Sequence, residues 1–398
     1  MTQSGPLSGY RVIELGQLLA GPFAGCMLGY FGAEVIKIEP PGEGDPIRRW
    51  REMRDDTSLW WYSLARNKKS VTVDLKSSRG VDLVRQLINK ADVVIENFRP
   101  GVVEGWGLGP DEFKTSNPGL VYARISGYGQ DGPYAGKPGF ASVCEGISGF
   151  RYINGFPGEA PVRPNLSIGD TISGIHAALG VSMALLEKHK SGKGQVVDVA
   201  LYESMFNLME AIIPEYDGAG VVREASGSTL TGIVPTNTYR CADGKYIVIG
   251  GNGDSIFQRL MRAAGYPEMA EDERLATNPG RVEHEDEIDQ ALSAWCQQHE
   301  SAFLLDTLTE ARVPSGPIYN VQDMLADPHF NERKLFETVE INGEPLKIPA
   351  IMPKFSRSSG ATRWPGAELG SSNDEVLGDL LGVDEVLMNE LREQGVIS

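Results

Sequence analysis

Two sequence patterns alternate along the first 126 residues of the chain. Short apolar, β-branched runs predict strands at residues 11–15, 33–39, 70–75, 92–98 and 120–126. Apolar residues at helical spacing predict helices between them, the clearest over residues 23–31 and 79–90. Strands that alternate with helices form a parallel sheet with helices packed on its faces. The sequence therefore predicts an α/β fold with a large Rossmann-like domain.

The composition of the chain changes near residues 214–232, where glycine, serine and acidic residues dominate. After this stretch, T-Y-R-C-A-D-G-K-Y-I-V-I-G-G at residues 238–251 predicts a β-hairpin with an Asp-Gly turn. A chain of 398 residues also exceeds the ~250–300 residues of a single core. We therefore predict a small α+β domain at residues 225–325, inserted into a large domain that covers 1–224 and returns at 326–398.

Composition argues against several classes of protein. The net charge of −17 disfavours generic binding to nucleic acid or to an anionic membrane. The four cysteines form no CxxC pair and the five histidines show no HxxxH spacing, so the sequence predicts no metal site. The N-terminal residues carry no signal-peptide pattern, and no uncharged apolar run reaches ~18 residues, which predicts a cytoplasmic protein.

The turn after the first predicted strand, G-Q-L-L-A-G-P at residues 16–22, resembles a dinucleotide loop but lacks its spacing. Four residues separate Gly16 from Gly21, so G-x-G-x-x-G is absent. Pro22 stands where a P-loop requires lysine. Nicotinamide and nucleoside-triphosphate chemistry are therefore disfavoured.

A carboxylate, Asp170, lies in N-L-S-I-G-D-T-I-S-G at residues 165–174, ahead of a long helical pattern. The apolar residues that recur at three- and four-residue steps are Ile172, Ile175, Leu179, Met183 and Leu186. Asp170 is therefore expected at or just before a helix N-terminus, where the helix dipole and free N–H groups favour a negative charge. Two interpretations stay open at this point: a helix N-cap, or a carboxylate nucleophile presented to a cleft.

Seven stretches follow one another along most of the chain: R-V-I-E-L-G-Q-L-L-A-G-P-F-A-G, G-A-E-V-I-K-I-E-P-P-G-E-G-D, N-K-K-S-V-T-V-D-L-K, A-D-V-V-I-E-N-F-R-P-G-V-V-E, S-G-Y-G-Q-D-G-P-Y, I-G-D-T-I-S-G and V-P-S-G-P-I-Y-N. In this order they closely resemble the class III CoA-transferases, the superfamily of carnitine CoA-transferase and formyl-CoA transferase. No single stretch is decisive, but their order is specific.

The resemblance implies that Asp170 is a nucleophile. In such enzymes the aspartate attacks an acyl-CoA thioester to form a mixed anhydride, and the released CoA thiolate then forms an aspartyl-CoA thioester. The acceptor carboxylate runs these steps in reverse. The resemblance implies no permanently bound cofactor, because the CoA thioester is itself a substrate. The implied partners are a small-molecule acyl-CoA and a carboxylic acid.

Other site residues are carried over from the family position by position. Gln17 is implied to be catalytic, as are Gly250 and Gly251, which match a mobile glycine loop that covers the aspartyl intermediate in relatives. The implied CoA path contains Ala20, Lys37, Leu75, Lys76, Asn97, Phe98 and Arg99. Ligands of open α/β sheets bind beyond the carboxyl ends of strands, which agrees with these positions. Lys68, Lys69, Arg124 and Lys137 are added as cations for the CoA phosphates.

Two positions depart from the family pattern. Asn252 interrupts what is a run of four glycines in several formyl-CoA transferases. Gly105 and Trp106 follow Glu104 where relatives commonly have an arginine. This removes one expected phosphate contact and makes Trp106 a candidate for stacking on adenine.

α-Methylacyl-CoA racemases share this fold and are the first alternative. They place a His-Asp pair where this chain has Phe140 and Ala141, so a proton-transfer partner is missing. His176 lies six residues after Asp170 and is expected to be an ordinary helix histidine. The second alternative is a non-catalytic acyl-CoA-binding protein, which would not need the carboxylate of I-G-D-T.

Two arginines, Arg151 and Arg163, lie close to Asp170 in sequence. An arginine that faces the pocket would bind the distal carboxylate of a dicarboxylic acid through two hydrogen bonds. This favours succinyl-CoA as the donor and a C4–C6 dicarboxylate as the acceptor, such as malate, citramalate, mesaconate or itaconate. Formyl-CoA with oxalate, and carnitine-type acceptors, stay open.

The resemblance also implies an interlocked homodimer in which each chain threads through the other. The active site would then lie between a large domain and the small domain of the partner. Long linkers predicted near residues 214–232 and 310–335 would permit this arrangement.

Overall fold

The computed structural model of the chain describes residues 5–398. Its strands, numbered in chain order, are β1 Arg11–Glu14, β2 Glu34–Glu39, β3 Met53–Arg54, β4 Thr57–Ser58, β5 Lys68–Thr72, β6 Val93–Glu96, β7 Val121–Ser126, β8 Val196–Ala200, β9 Thr236–Arg240, β10 Tyr246–Gly250, β11 Ser315–Pro317, β12 Phe336–Ile341 and β13 Glu344–Pro349.

The α-helices, numbered in the same way, are α1 Ala20–Tyr30, α2 Leu59–Leu64, α3 Ser78–Asn89, α4 Val102–Gly105, α5 Ala141–Ile147, α6 Ile168–Ser191, α7 Leu201–Phe206, α8 Ile212–Ala219, α9 Asp254–Ala263, α10 Pro267–Glu271, α11 Asn278–Glu283, α12 Glu285–Gln298, α13 Ser301–Glu310, α14 Val321–Ala326, α15 Pro328–Glu332 and α16 Glu385–Glu393. Short 3-10 helices lie at Pro46–Arg49, Pro110–Phe113 and Glu273–Leu275.

The chain forms two compact units. The large unit contains residues 5–150, 164–210 and 331–398, and the small unit contains residues 151–163 and 211–330. The small unit thus begins earlier than the predicted boundary at residue 225. Part of the predicted linker is helical in the structure, because α8 occupies Ile212–Ala219.

The large unit is built on a six-stranded sheet in the order β5-β2-β1-β6-β7-β8. All neighbouring pairs in this sheet are parallel. In the register of its centre, Ile13 of β1 lies beside Ile36 of β2 and Val94 of β6. The structure confirms the predicted α/β fold.

Helices cover both faces of this sheet. Successive residues of a strand point to opposite faces, so alternate residues belong to different core clusters. Ile36 and Val94 belong to one core cluster, which also contains residues of α3 and α16. Val35 and Val93 belong to the other, with residues of α1, α5 and α6. Burial on both faces explains why these strands read as nearly continuous apolar runs.

Helix α6 buries mostly small residues and exposes several large apolar ones. The residues of its buried face are Gly169, Ser173, Gly174, Ala177, Ala178, Val181, Ala184 and Leu185. The opposite side carries the α6 stripe, which we define as Ile175, Leu179, Met183 and Leu186; these are 38%, 50%, 58% and 63% exposed. The apolar periodicity therefore predicted the helix correctly, but its large residues mark an outward surface of the large unit.

The small unit contains a three-stranded antiparallel sheet in the order β11-β10-β9, with α9 to α13 around it. The predicted hairpin is confirmed, since β9 pairs with β10 and Gly244 in its turn has a φ of 80°. The predicted linker near residues 310–335 contains β11, which pairs with β10. The core of the unit includes Phe257 and Leu292.

The C-terminal part of the large unit contains two helical segments, a π-helix at Asp374–Leu380 and α16. Between these two helices, Gly382 adopts a left-handed conformation with a φ of 79°. Asp384 then caps α16 by accepting a hydrogen bond from the N–H of Leu387.

Candidate active site

Asp170 is the third residue of α6. The N-cap is Ser167, whose carbonyl accepts a hydrogen bond from the N–H of Thr171. The N-cap interpretation of Asp170 was therefore wrong, because the helix begins two residues earlier, at Ile168. A half-buried carboxylate in the first turn still faces the positive end of the helix dipole, which favours its ionised form.

Two glycines of α6 allow neighbouring helices to come close to this first turn. A Cβ on Gly169 would lie 3.1 Å from Cβ of Ala141, the first residue of α5. A Cβ on Gly174 would lie 2.8 Å from the carbonyl oxygen of Ala20, the first residue of α1. The first residues of α1 and α5 therefore pack beside the start of α6 within the large unit.

The negative charge of Asp170 acts on the thiol of Cys144 in α5. Burial raises the pKa of the Cys144 thiol to about 11, and the negative charges of Asp170 and Glu145 add to this effect. The thiol donates a hydrogen bond to the carbonyl of Gly127 at 3.3 Å. Cys144 is thus a protonated thiol at neutral pH and does not compete with Asp170 as a nucleophile.

The turn that follows β1 is held by Asn97, which follows β6. The N–H of Gln17 donates to Oδ1 of Asn97 at 2.8 Å, and Nδ2 of Asn97 donates to the carbonyl of Gln17 at 2.8 Å. The side chain of Asn97, which was expected to contact CoA, therefore fixes the main chain of Gln17.

The next residue of the turn, Leu18, adopts a left-handed conformation with a φ of 64°. This conformation costs about 1–2 kcal/mol for a residue with a Cβ. The N–H of Leu18 points between the two carboxylate oxygens of Asp45, at 3.1 and 3.2 Å. Asp45 is fully buried and its carboxylate is therefore held in place. Its hydrogen bonds to the N–H of Leu18 stabilise the strained backbone conformation of that residue.

Lys37 also supports the turn that follows β1, and it is only 1% exposed. Its ammonium lies 3.0 Å from Glu14 and 2.8 Å from Asp45, and it donates to the carbonyl of Gly16 at 2.8 Å. Burial lowers the pKa of Lys37, but the carboxylates of Asp45 and Glu14 outweigh burial and raise it above its ordinary value. The expected contact between Lys37 and CoA is therefore corrected, because no face of its ammonium is left for a phosphate.

Lys68, which was also expected to bind the CoA phosphates, is instead only 2% exposed and lies beneath the turn. The ammonium of Lys68 lies 2.8 Å from Glu14 and donates to the carbonyl of Pro22 at 2.6 Å. Burial lowers the pKa of Lys68, and the charge of Lys37 acts in the same direction against the stabilising carboxylate of Glu14. We call Glu14, Lys37, Asp45 and Lys68 the ion cluster; its two cations and two anions compensate one another.

Arg124 also differs from its expected role as a CoA contact. It is 7% exposed, and its guanidinium lies 2.8 Å from Glu96 and 2.7 Å from Glu104. Burial lowers the pKa of Arg124, while its hydrogen bonds to the two carboxylates raise it above its ordinary value. Arg124 therefore joins β7 to β6 and α4 instead of presenting a free cation.

Leu75 and Lys76 follow β5, and Phe98 and Arg99 follow β6, which is separated from β5 by β2 and β1 in the sheet. Leu75 and Phe98 are partly buried against one core cluster, where the ring of Phe98 meets Trp106 edge to face at 5.1 Å. The exposed cations among the predicted CoA residues are Lys76, Arg99 and Lys137. Nζ of Lys137 lies 3.5 Å from the ring centroid of Tyr134.

The remaining predicted site residues belong to the small unit. Arg151 and Arg163 are the first and last residues of the segment 151–163, which packs within that unit. Gly250 is the last residue of β10, and Gly251 follows it. Among residues 5–398, no group of three histidine, cysteine or acidic side chains could hold a metal ion.

Sequence reasoning missed Asp45, Glu14 and Lys68 as supports of the turn. Asp45 precedes Pro46 and caps the short helix Pro46–Arg49, which is the one local signal that it had a structural role. The pairing of Glu14 with two lysines requires the registers of β2 and β5, which no local pattern reveals.

Comparison with known proteins places this geometry in a family. The model of CoA-transferase family III matches residues 7–373. The chain is 47% identical over 395 residues to succinyl-CoA–D-citramalate CoA-transferase of Chloroflexus aurantiacus, with 98% of each chain covered. It is 36% identical over 384 residues to succinate–glutarate CoA-transferase of Agrobacterium fabrum, covering 94% of this chain and 96% of the relative. A CAIB/BAIF family protein from Brucella suis has a similar crystal structure, with a TM-score of 0.84, 32% identity and coverage of 95% and 100%.

Proposed function

Because the chain belongs to CoA-transferase family III, we propose that it transfers CoA from succinyl-CoA to a C4–C6 dicarboxylate. The observation that carries this proposal is the 47% identity, over 98% of both chains, to a relative named for succinyl-CoA and D-citramalate. A second relative, at 36% identity, is named for succinate and glutarate. Both names combine a four-carbon dicarboxylate with another dicarboxylate.

Asp170 is the proposed nucleophile. Its carboxylate attacks the thioester carbonyl of succinyl-CoA, the C–S bond breaks, and a mixed anhydride and CoA thiolate result. The thiolate attacks the aspartyl carbonyl of the anhydride, which releases succinate and leaves an aspartyl-CoA thioester. The acceptor carboxylate attacks this thioester and again releases the thiolate. The thiolate then attacks the acceptor's acyl carbonyl, which yields the new acyl-CoA and restores Asp170.

The surroundings of Asp170 support this chemistry. The first turn of α6 favours the carboxylate, which the first and last steps require. The side-chain amide of Gln17 is the proposed hydrogen-bond donor to the acyl oxygen, because its main chain is fixed on both sides by Asn97. Gly250 and Gly251 stay proposed as catalytic positions on the strength of the resemblance.

The proposed CoA path follows the carboxyl edge of the parallel sheet. Ala20, Leu75 and Phe98 would contact its apolar parts, and Lys76, Arg99 and Lys137 would bind its phosphates. The edge-to-face pair of Phe98 and Trp106 supports the suggestion that Trp106 helps to hold the adenine. Arg151 and Arg163 are proposed to bind the distal carboxylates of donor and acceptor.

The proposed assembly is an interlocked homodimer in the cytoplasm. The α6 stripe supports a second copy as partner, since a row of four large apolar residues on one helix is rarely left in water. All four cysteines are buried free thiols, which agrees with a reducing compartment.

A trapping experiment tests the nucleophile. The protein is incubated with succinyl-CoA, treated with hydroxylamine or borohydride, digested and mapped by mass spectrometry. Modification of Asp170 is expected, and its absence in an active preparation would overturn the aspartyl mechanism. Incorporation of solvent deuterium at the acyl α-carbon would favour racemase chemistry instead.

A panel of donors and acceptors tests the substrate class. Succinyl-CoA with citramalate, malate, glutarate, mesaconate or itaconate is expected to give higher kcat/KM than formyl-CoA with oxalate or any donor with carnitine. If Arg151→Ala and Arg163→Ala both leave the KM of the dicarboxylate unchanged, these arginines do not bind its carboxylates.

A further inference from the structure

The residues Gly250, Gly251, Asn252 and Gly253, here called the glycine segment, form main-chain hydrogen bonds at each of the four residues. The N–H of Gly250 donates to Pro314 at 2.9 Å, and the N–H of Gly251 donates to Pro235 at 2.8 Å. The carbonyl of Gly253 accepts from the N–H of Phe257 at 2.7 Å, in the first turn of α9. A free loop would leave such groups to water.

Side-chain packing leaves the segment little room. A Cβ on Gly251 would lie 2.5 Å from Cδ2 of Leu260 and 3.1 Å from Cγ of Pro235. Leu260 is fully buried in the core of the small unit. Glycine at position 251 thus reflects close packing against that core rather than a need for mobility.

Arg281 of α11 completes the bonding of the segment. It is 0% exposed, and its Nη2 donates to the carbonyl of Asn252 at 2.7 Å and to Oδ1 of Asp254 at 2.9 Å. Its Nε donates to the carbonyl of Val234 at 2.9 Å, and its Nη1 to the carbonyl of Leu275 at 3.1 Å. One side chain thereby joins four separate points of the small unit.

Only arginine suits this position. Its guanidinium is planar and presents several donors in a fixed fork, so it can bind carbonyls on different sides at once. Lysine keeps the charge but places its donors on a single nitrogen. Phe257 adds to the fit, since its ring centroid lies 5.0 Å from Cζ of Arg281.

We infer that Arg281 is a positioning residue that holds the glycine segment in one conformation, so that the segment acts as a fixed wall rather than as a mobile loop. The kinetic part of this inference rests on the proposed function, in which Gly250 and Gly251 serve the reaction. The structural part does not depend on any activity.

Amide hydrogen exchange of the wild-type protein tests the structural part. The amides of Gly250 and Gly251 are expected to exchange about as slowly as those of α9, because both donate to carbonyls within the small unit. Exchange at the rate of an unstructured peptide would overturn the inference. This measurement needs no variant, so a variant that fails to fold does not affect it.

The variant Arg281→Lys tests the role of the side chain. Exchange at the glycine segment is expected to rise at least tenfold, kcat to fall up to about 100-fold, and the KM of succinyl-CoA to stay within about twofold. Arg259→Lys is the control. Arg259 also donates to main-chain carbonyls of the same unit, those of Ala311, Arg312 and Ser255, but to none of the glycine segment.

The outcomes separate the two proposals. Slow exchange at the segment in a folded Arg281→Lys protein overturns the positioning role. Fast exchange without loss of kcat, when the wild type is an active transferase, supports the positioning role and overturns the participation of the segment in catalysis. If the wild type has no transferase activity, the proposed function fails while the exchange data still decide the role of Arg281.

Discussion

Asn97 and Gln17 exchange two hydrogen bonds, each 2.8 Å long, between one side-chain amide and one main-chain peptide. The pair joins the end of β6 to the turn that follows β1, two strands that are neighbours in the sheet. A side chain that accepts from an N–H and donates to a C=O of the same residue fixes both the position and the rotation of that residue.

Replacement of Asn97 by aspartate tests this pair. Asn97→Asp keeps the acceptor for the N–H of Gln17 but places a carboxylate against its carbonyl oxygen, which repels it. We expect kcat to fall about 10- to 100-fold while the KM of succinyl-CoA changes little, as for a small misplacement of a catalytic group. Steady-state kinetics with saturating acceptor provide the measurement.

The control for this change is Asn117→Asp. Asn117 also donates to main-chain carbonyls, of Ile88 and Ala91, but lies away from the turn. It should lose stability without a selective loss of kcat. Equal losses of kcat in the two variants would show that Asn97 has no special relation to Gln17.

Asp170→Asn separates the charge of this residue from its place in the helix. Since Ser167 is the N-cap, asparagine at position 170 leaves the cap of α6 in place and loses the charge–dipole interaction, which is worth about 0.3–1 kcal/mol. Transfer of CoA is expected to fall by about 10⁴-fold or more, because an amide is not a nucleophile at this step. Circular dichroism should show an unchanged melting temperature within a few degrees.

The matched control is Asp384→Asn, at a residue that does cap its helix. Asparagine caps about as well as aspartate, so both stability and activity should persist. Retention of turnover by Asp170→Asn would leave the residue with a structural role alone.

Lys37→Met and Lys76→Met distinguish a support of the turn from a ligand of CoA. Removal of the Lys37 ammonium takes the paired cation from buried Asp45 and leaves Glu14 with Lys68 alone, which is expected to destabilise the fold by about 3–5 kcal/mol. Lys76 is exposed, so its replacement should leave stability unchanged and raise the KM of succinyl-CoA about three- to tenfold. Urea unfolding and steady-state kinetics measure the two effects. A stable Lys37→Met protein with a raised KM would restore Lys37 as a CoA contact.

The thiol of Cys144 provides a test based on pH. Its pKa is raised from about 9 to about 11, mainly by burial, so the neutral thiol is favoured and the thiolate appears only as the pH rises towards 11. At pH 8 the thiolate fraction is about 10⁻³, and iodoacetamide should therefore leave activity intact. In denaturant the same reagent should label all four cysteines. Loss of activity that tracks alkylation of Cys144 in the folded protein would contradict this expectation.

Local sequence patterns predicted the elements of the large unit well because its parallel strands are buried on both faces and therefore read as apolar runs. They predicted less about side-chain partners. Lys37 and Arg124 looked like cations for CoA, but the registers of β2 and β7 place them against buried carboxylates. Such pairings join residues that are far apart in sequence, so no spacing rule reveals them.

The same limit applies to Asp170 and to α6. Its apolar period predicted a helix, and Asp170 was correctly expected near the N-terminus of that helix. The apolar period did not show which side of α6 faces the sheet. Close packing of α6 on α1 favours small residues on the buried face. Large residues at helical spacing therefore came to lie outside.

The α6 stripe leads to the final prediction, that it is covered by a second copy of the chain. Leu179→Glu places a charge in the middle of four large apolar side chains, which strongly disfavours a buried contact. Sedimentation velocity is expected to show a dimer for the wild type and monomer or aggregate for the variant. Val386→Glu is the control, since Val386 is 70% exposed on α16 and lies outside the stripe. A wild-type monomer, or a Leu179→Glu dimer as stable as the Val386→Glu dimer, would show that the stripe is not the contact surface.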